Sequence, residues 1–157
     1  MGKPLGELER ERLYVAVGMD STGLDGFEGP PAGSAVGYSA SDSPSSGTVG
    51  NWSTVDDLWA WHLALLAGDP IPSDLVALME KPHVQVDDAL WYGYGVEVRE
   101  TYGHREISHR GGTEGFSSYF IRFPDDDVVI VLLSNQESTD VDALRERLID
   151  IVFNQAR

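Results

Sequence analysis

The sequence predicts an α+β fold, in which an antiparallel sheet of three to four strands carries a C-terminal helix and is preceded by short helices and a long loop region. Three observations lead to this prediction. Segments rich in β-branched and aromatic residues alternate with turn residues between positions 91 and 133. A capped helical pattern follows them, and helical patterns bounded by glycine and proline precede them. We therefore expect the strands to pair antiparallel through short turns.

The first 50 residues predict a short surface helix followed by irregular chain. Apolar side chains from Leu5 to Val17 recur at near-helical spacing with charged residues between them, and Gly18 ends the pattern. Residues 19–50 are rich in Gly, Pro, Ser and Asp. This stretch of over 30 residues is too long for an ordinary connection, so we interpret it as a functional loop region or a linker.

Two helices are predicted between residues 51 and 82. Ser53 and Asp56 have the spacing of a capping box, and apolar residues follow at helical spacing until Gly68, which precedes Asp-Pro. A shorter helix spans about residues 73–81, with a proline directly before it and another directly after it. These two helices are the only helical patterns in the middle of the chain.

The last part of the chain predicts four strands and one helix. The strands are expected at residues 91–99, 105–109, 116–123 and 128–133, with turns at 101–104 and 124–127 and a helix capped by Thr139 and Asp142. The unbroken apolar run of residues 128–133 predicts a strand covered on both faces. One C-terminal helix covers a single face, so the helices of residues 53–81 or an absent partner must cover the other.

Composition excludes several classes of function. The chain has 157 residues, with 11 Lys and Arg against 26 Asp and Glu, and its net charge of −15 disfavours nucleic acid and anionic membrane surfaces as partners. The absence of cysteine excludes disulfides, thiolate zinc sites and cysteine nucleophiles. No stretch reaches the roughly 20 apolar residues of a membrane span, and the N-terminus lacks the apolar core of a signal peptide. Either the protein is cytoplasmic or its natural start lies upstream.

The polar residues outside one cluster predict structural roles. The four histidines are scattered without a metal-binding spacing, so we expect no metal site and no cofactor. His62 lies in the apolar stripe of its helix and is interpreted as a residue at the edge of the core. Asp57 lies in the first helical turn, where the macrodipole explains an acidic residue. The acidic run 125–127 is interpreted as an exposed turn, because it lacks the ligand spacing of a calcium loop.

One cluster, residues 108–115 with the sequence Ser-His-Arg-Gly-Gly-Thr-Glu-Gly, combines basic side chains with glycines at the end of a predicted strand. Glycine allows backbone N–H groups to approach a ligand closely, and a basic side chain beside them completes an arrangement that stabilises an oxyanion. The same residues also fit a plain glycine-rich hairpin loop. The residues alone leave both interpretations open.

Short segments along the chain carry a resemblance to a known family. They are residues 13–22, 35–38 (Ala-Val-Gly-Tyr), 50–58 (Gly-Asn-Trp-Ser-Thr-Val-Asp-Asp-Leu), 92–96, 109–112 (His-Arg-Gly-Gly) and 123–135. In this order they resemble the C-terminal part of the serine β-lactamase and D-alanyl-D-alanine carboxypeptidase superfamily, which includes penicillin-binding proteins, in its class C-like branch that also contains esterases. Asn51 and Trp52 depart from the family's pattern.

The resemblance implies a partial β-lactamase/transpeptidase-like fold, with all of residues 1–157 in the C-terminal part of one domain. Residues 1–50 supply a helix and an irregular segment, 51–82 the helices, and 91–157 the strands and the C-terminal helix. It also implies a serine hydrolase that forms an acyl-enzyme and acts on a small-molecule ester, amide or β-lactam. Family members are often periplasmic or secreted, so the resemblance leaves the compartment of this chain unknown.

Six residues take site roles by this resemblance. His109 stands where the family's third motif has its basic residue, and it would steer a substrate carboxylate or aid proton movement. Gly112 would lend a backbone N–H to the oxyanion hole. Arg110, Gly111 and Thr113 would line the cleft, with Tyr38 on its rim.

The family's other two motifs are absent. The nucleophile motif is Ser-x-x-Lys, but the only lysines are Lys3 and Lys81, and Leu78 stands three residues before the latter. No tyrosine is followed two residues later by Asn or Ser. We therefore expect a C-terminal portion that is inactive alone, because the covalent route is lost.

The alternative is a non-catalytic binding module on a degenerate version of the same scaffold. Under both hypotheses the sheet face that the missing part should cover is an exposed apolar surface, so self-association is expected.

Overall fold

The computed structural model of the chain describes residues 2–24, 30–41, 43–45 and 50–154. Its α-helices are α1 Leu5–Glu9, α2 Val55–Ala67, α3 Ser73–Met79 and α4 Val141–Phe153. Its strands are β1 Gly23–Leu24, β2 Gly37–Tyr38, β3 Pro44–Ser45, β4 Asn51–Trp52, β5 Val84–Gln85, β6 Leu90–Tyr92, β7 Glu97–Thr101, β8 His104–Thr113, β9 Phe116–Phe123 and β10 Val128–Ser134. The predicted α+β class is confirmed.

The first helix changes type along its length. After α1 the chain continues through a π-helical turn, Arg10–Tyr14, and a 3-10 turn, Val15–Val17. Gly18 ends it with φ of +77°, a left-handed conformation that glycine adopts without steric cost. Part of the predicted irregular segment 19–50 lies outside the described residues. The rest is not wholly irregular, since β1 pairs with β4 and β2 pairs with β3.

The main sheet is antiparallel, with the order β10-β9-β8-β7-β6-β5. The prediction of three to four strands is therefore too low for this sheet. The predicted strand 91–99 is two strands, because the N–H of Gly93 donates to the carbonyl of Val96 at 2.8 Å and Gly95 turns the chain with φ of +75°. The very short β5 completes the edge, and two residues are too few to leave a sequence pattern.

Strand β8 is longer than predicted, and this places the cluster of residues 108–115 differently. Tyr102 and Gly103, with φ of 53° and 84°, form the two-residue turn that joins β7 to β8. The strand then continues through Thr113, so the cluster lies mainly inside a strand rather than in a loop. Gly115, with φ of +85°, lies in the next turn.

Helix α4 covers one face of the sheet. The core there consists of Tyr119, Ile121 and Phe123 from β9 and Ile130 from β10, packed against Val141 and Ile149. Ile121, Phe123, Val141 and Ile149 are fully buried. Each contributes roughly 1.5–3 kcal/mol by leaving water. The predicted C-terminal helix thus has the predicted role.

The opposite face is covered in part by α2 and α3, through charged groups. Arg122 of β9 donates from Nε to Nδ1 of His62 at 3.0 Å, and its other end pairs with Glu80 directly after α3. Arg105 also donates to Glu80, at 3.1 Å. His62 is fully buried, as predicted for a residue of the core edge. The helices of residues 53–81 therefore provide cover for the second face, at the end of the sheet where Arg122 lies.

We predict that His62 lowers the stability of the fold as the pH falls below about 6.5. Burial and the Arg122 guanidinium lower the pKa of His62. Below about pH 6.5 the unfolded chain therefore binds a proton on His62 more readily than the folded chain does. The free energy of unfolding consequently falls as the pH falls. Urea unfolding at several pH values measures this slope. The variant His62→Gln keeps an acceptor for Arg122 and should flatten the slope, and an unchanged slope in that variant would contradict the assignment.

Among the described residues, no helix is both long enough and apolar enough to span a membrane.

Candidate active site

A cleft of about 720 Å³ opens where the β8–β9 hairpin meets the end of β10, β4 and the segment 30–35. Its wall is built by residues 21, 30–35, 50–54, 111–113, 116–118 and 133–135. The sheet supplies one side through neighbouring strands, and the chain before α2 supplies the other. The cleft therefore depends on contacts between distant parts of the sequence.

Gly111, Gly112 and Thr113 line this cleft. They pair with Ser118, Ser117 and Phe116 of β9. A Cβ on Gly111 would collide with the hydroxyl of Ser118, whereas one on Gly112 would meet no atom within 4 Å. A side chain at position 111 would therefore have to displace the Ser118 hydroxyl, while the space around position 112 is open.

The register of β8 fixes where the N–H of Gly112 points. In an antiparallel ladder, successive residues direct their N–H and C=O groups alternately to the two sides. The hairpin turn makes Thr101 and His104 a hydrogen-bonded pair, so His104, Glu106 and Ser108 face β7. Gly112 points to that same side, but the ladder with β7 ends at Ser108. Its N–H therefore points past the end of β7 and is directed away from β9.

His109 is exposed on β8, and its imidazole Nε2 lies 2.8 Å from the hydroxyl of Tyr92 on β6. The two rings meet edge to face with their centroids 6.1 Å apart. His109 is not part of the cleft wall, although strand alternation puts its side chain on the face of Gly111 and Thr113. Sequence reasoning did not single out Tyr92, because the pair spans a whole intervening strand and leaves no local pattern.

Arg110 is placed elsewhere than the resemblance implies. Its Nε lies 3.3 Å from Oδ2 of Asp142 at the start of α4, and it does not line the cleft. The reason is the alternation of side chains along a strand, which directs a residue next to Gly111 to the opposite face. The expectation that Arg110 lines the cleft is thereby corrected.

Tyr38 also lies outside the cleft wall, but its backbone is fixed beside it. Its N–H lies 2.8 Å from the carbonyl of Asn135 and 3.2 Å from that of Gly115, so it donates to both. Asn135 belongs to the wall, and its side-chain amide donates to the carbonyl of Val36 at 2.9 Å. The segment 36–38 is thus tied to the turn after β8 and to the end of β10, which places Tyr38 next to the cleft.

Asp57 has a role that sequence analysis missed. Its carboxylate accepts from the N–H of Ser21 at 2.8 Å and from the hydroxyl of Thr22 at 2.6 Å, and that hydroxyl also lies 2.7 Å from Ser53. Thr54 caps α2 by accepting from the N–H of Asp57. The carboxylate therefore holds residues 21–22 on the start of α2, and Ser21 and Ser53 face the cleft. A helix macrodipole explains none of these contacts.

In the part of the chain that the structure describes, three large apolar side chains face the cleft. They are Trp52, Phe116 and Leu133. Trp52 packs on Gly23, where a Cβ would lie 2.5 Å from the indole ring, and Phe116 packs on Gly37 in the same way. Both rings are thus seated against backbone. Among the described residues, no group of three or more His, Asp or Glu side chains is placed to hold a metal ion.

The model of the family described as Beta-lactamase matches residues 1–153. The chain belongs to the β-lactamase family. A comparison with curated proteins gives no significant match.

Solved structures show the same fold for this β-lactamase family chain. A penicillin-binding protein from Bacillus halodurans is 25% identical with a TM-score of 0.78, over 91% of this chain and 49% of that one. An octameric penicillin-binding protein homologue from Pyrococcus abyssi is 17% identical with a TM-score of 0.80, over 94% and 37%. A D-amino acid amidase from Ochrobactrum anthropi SV3 is 23% identical with a TM-score of 0.76, over 96% and 52%. The chain spans about half the length of these structures or less.

Proposed function

We propose that this chain is the C-terminal portion of a β-lactamase-like serine hydrolase and supplies its oxyanion-hole strand. The observation that carries the proposal is the position of Gly112, which lines the cleft and whose N–H, by the register of β8, points past the end of β7. The family match over residues 1–153 supports the assignment of the reaction class. The catalytic serine and its lysine then come from a polypeptide that carries Ser-x-x-Lys. We call this chain together with that polypeptide the completed protein.

In the completed protein the chemistry is acyl transfer. The serine hydroxyl attacks the substrate carbonyl, and the carbonyl oxygen becomes an oxyanion in the tetrahedral intermediate. The N–H of Gly112 and the N–H of the serine donate to that oxyanion. His109 and Tyr92, joined at 2.8 Å, form a hydrogen-bonded pair beside the cleft that aids proton movement. When the intermediate collapses, the carbonyl re-forms, the bond to the alcohol or amine breaks, and the proton lost by the serine hydroxyl passes to that leaving group. Water then hydrolyses the acyl-enzyme to a carboxylic acid and the free serine.

The isolated chain should not turn over a chromogenic ester or a cephalosporin, because it lacks the nucleophile of the covalent route. Steady-state assays of the purified chain measure this. The completed protein, made by extending the clone through the upstream reading frame, should hydrolyse at least one such substrate. Activity of the isolated chain that survives His109→Ala would overturn the proposal.

The sheet face from which self-association was expected is covered in part by α2 and α3, so we propose that self-association uses α2 instead. Val55, Trp59, Leu63 and Leu66 form one exposed apolar stripe along this helix. Light scattering at rising concentration should show a dimer. Leu63→Glu should disrupt it, whereas Leu144→Glu, at an exposed position of α4, should leave it intact. A monomer at all concentrations would contradict this expectation.

A further inference from the structure

The wall of the cleft carries no charged side chain among its 21 described residues. Charged residues make up 24% of the chain, so about five would stand there at the average frequency. The wall consists instead of glycine, proline, alanine, hydroxyl and amide residues with three large apolar side chains. This neutrality contrasts with the net charge of −15 that the whole chain carries.

The two basic residues that directly precede the cleft glycines on β8 are not part of the cleft wall. Arg110 pairs with Asp142 on the opposite face of the sheet. His109 shares its Nε2 with the hydroxyl of Tyr92 and lies outside the wall. Residues 25–29 and 46–49 directly precede wall segments along the chain. Their sequence contains no Lys, Arg or His, and residue 42 is an aspartate. This half of the site thus offers no cation to a substrate carboxylate.

A carboxylate placed in such a cleft would lose hydration without gaining a partner, which costs more than burying a hydrogen-bonded neutral amide. A neutral carbonyl compound, by contrast, finds hydroxyl and amide groups for its polar atoms. Trp52, Phe116 and Leu133 offer an apolar surface to its side chain.

We propose that the cleft selects uncharged esters or amides with an apolar side chain, and discriminates against substrates that bear a free carboxylate. Trp52, Phe116 and Leu133 determine the preference for the apolar group. The inference rests on the proposed function, since it names the substrate class of the same site. Under this proposal His109 does not steer a substrate carboxylate. Its role is limited to proton movement.

The test is a binding measurement on the full chain as it exists. N-acetylphenylalaninamide and N-acetylphenylalanine have nearly the same shape and differ in charge. Amide NMR signals are followed during titration with each, in about 0.5 M salt so that the net charge of the chain is screened. The amide should bind at least tenfold more tightly than the carboxylate and shift the signals of Gly111 and Gly112. Equal binding, tighter binding of the carboxylate, or binding of neither would overturn the proposal.

Two lysine variants test the same preference through an expected gain in carboxylate binding. Leu133 in the wall is 45% exposed, and Leu144 on α4 is 41% exposed and lies outside it. Leu133→Lys should tighten binding of N-acetylphenylalanine about tenfold, because it places a cation in the cleft. Leu144→Lys makes the same change of charge and should leave the affinity unchanged. Equal effects of the two variants would show that overall charge, rather than the wall, sets the preference, and would overturn the proposal.

This result is separable from that of the proposed function. Binding is measured without the nucleophile, whereas the hydrolase assignment is tested on the completed protein. A completed protein that acylates while the chain shows no neutral preference overturns the substrate class alone. Neutral selectivity without acylation overturns the hydrolase assignment alone.

Discussion

Replacing Glu106 by alanine will lower the free energy of unfolding by about 3–5 kcal/mol, because it leaves a buried cation without its partner. Glu106 is fully buried on β8. Its carboxylate pairs with the guanidinium of Arg145 on α4, and it accepts from Thr101 at 2.6 Å and from Ser108 at 3.1 Å. A loss of this size is a large share of the stability of a typical domain. Urea unfolding measures it.

Two variants control for this result. Glu100→Ala removes an exposed carboxylate from the neighbouring β7 and should change stability by less than about 0.5 kcal/mol. The double variant Glu106→Met, Arg145→Leu removes both charges and should recover much of the loss, since an apolar pair of similar volume replaces them. A single Glu106 variant as stable as Glu100→Ala would show that the ion pair does not hold α4 on the sheet.

The second large effect concerns catalysis. In the completed protein, Gly112→Pro should lower kcat by about 10²–10³, because proline removes one donor to the oxyanion. The sheet should tolerate this proline, since the N–H at position 112 points past the end of β7 and is not used in the pairing with β9. Steady-state kinetics with an ester substrate measures the change, and circular dichroism checks the fold.

The matched control is Gly112→Ala, which keeps the N–H. A Cβ at this position meets no atom within 4 Å, so the alanine variant should fold and retain activity within a few-fold. Equal loss of activity in both variants would show that any side chain at position 112 is harmful, whether or not the N–H is present. The oxyanion role of Gly112 would then be wrong.

Local patterns were sufficient to predict much of the fold. The helices α2, α3 and α4 and the strands β8, β9 and β10 all follow from periodicity, capping residues and turn composition. The same rules missed β5, which has two residues, and merged β6 with β7 across a glycine turn. Short edge strands form because a neighbour offers them a ladder, and their own residues carry little of that information.

For the candidate site, too, the sequence indicated residues that are close together along the chain and missed those that act over long sequence separations. Gly111, Gly112 and Thr113 were proposed as site residues because they lie in, or directly after, the segment that resembles the family's third motif. Tyr92 and Asp57 were missed, since each acts on residues far along the chain: the former on His109 and the latter on residues 21–22. Arg110 was expected to line the cleft because it is adjacent to Gly111 in sequence. In a strand, however, adjacent residues lie on opposite faces.

The most direct measurement is intact-protein mass spectrometry after incubation with an acylating β-lactam or a fluorophosphonate. The completed protein should gain one adduct, located by peptide mapping on the serine of Ser-x-x-Lys, while the isolated chain of 157 residues gains none. Both samples are first shown to be folded by circular dichroism. A specific adduct on the isolated chain, or no adduct on a folded completed protein with either reagent, would contradict the assignment of this chain as the oxyanion-hole portion of a serine hydrolase.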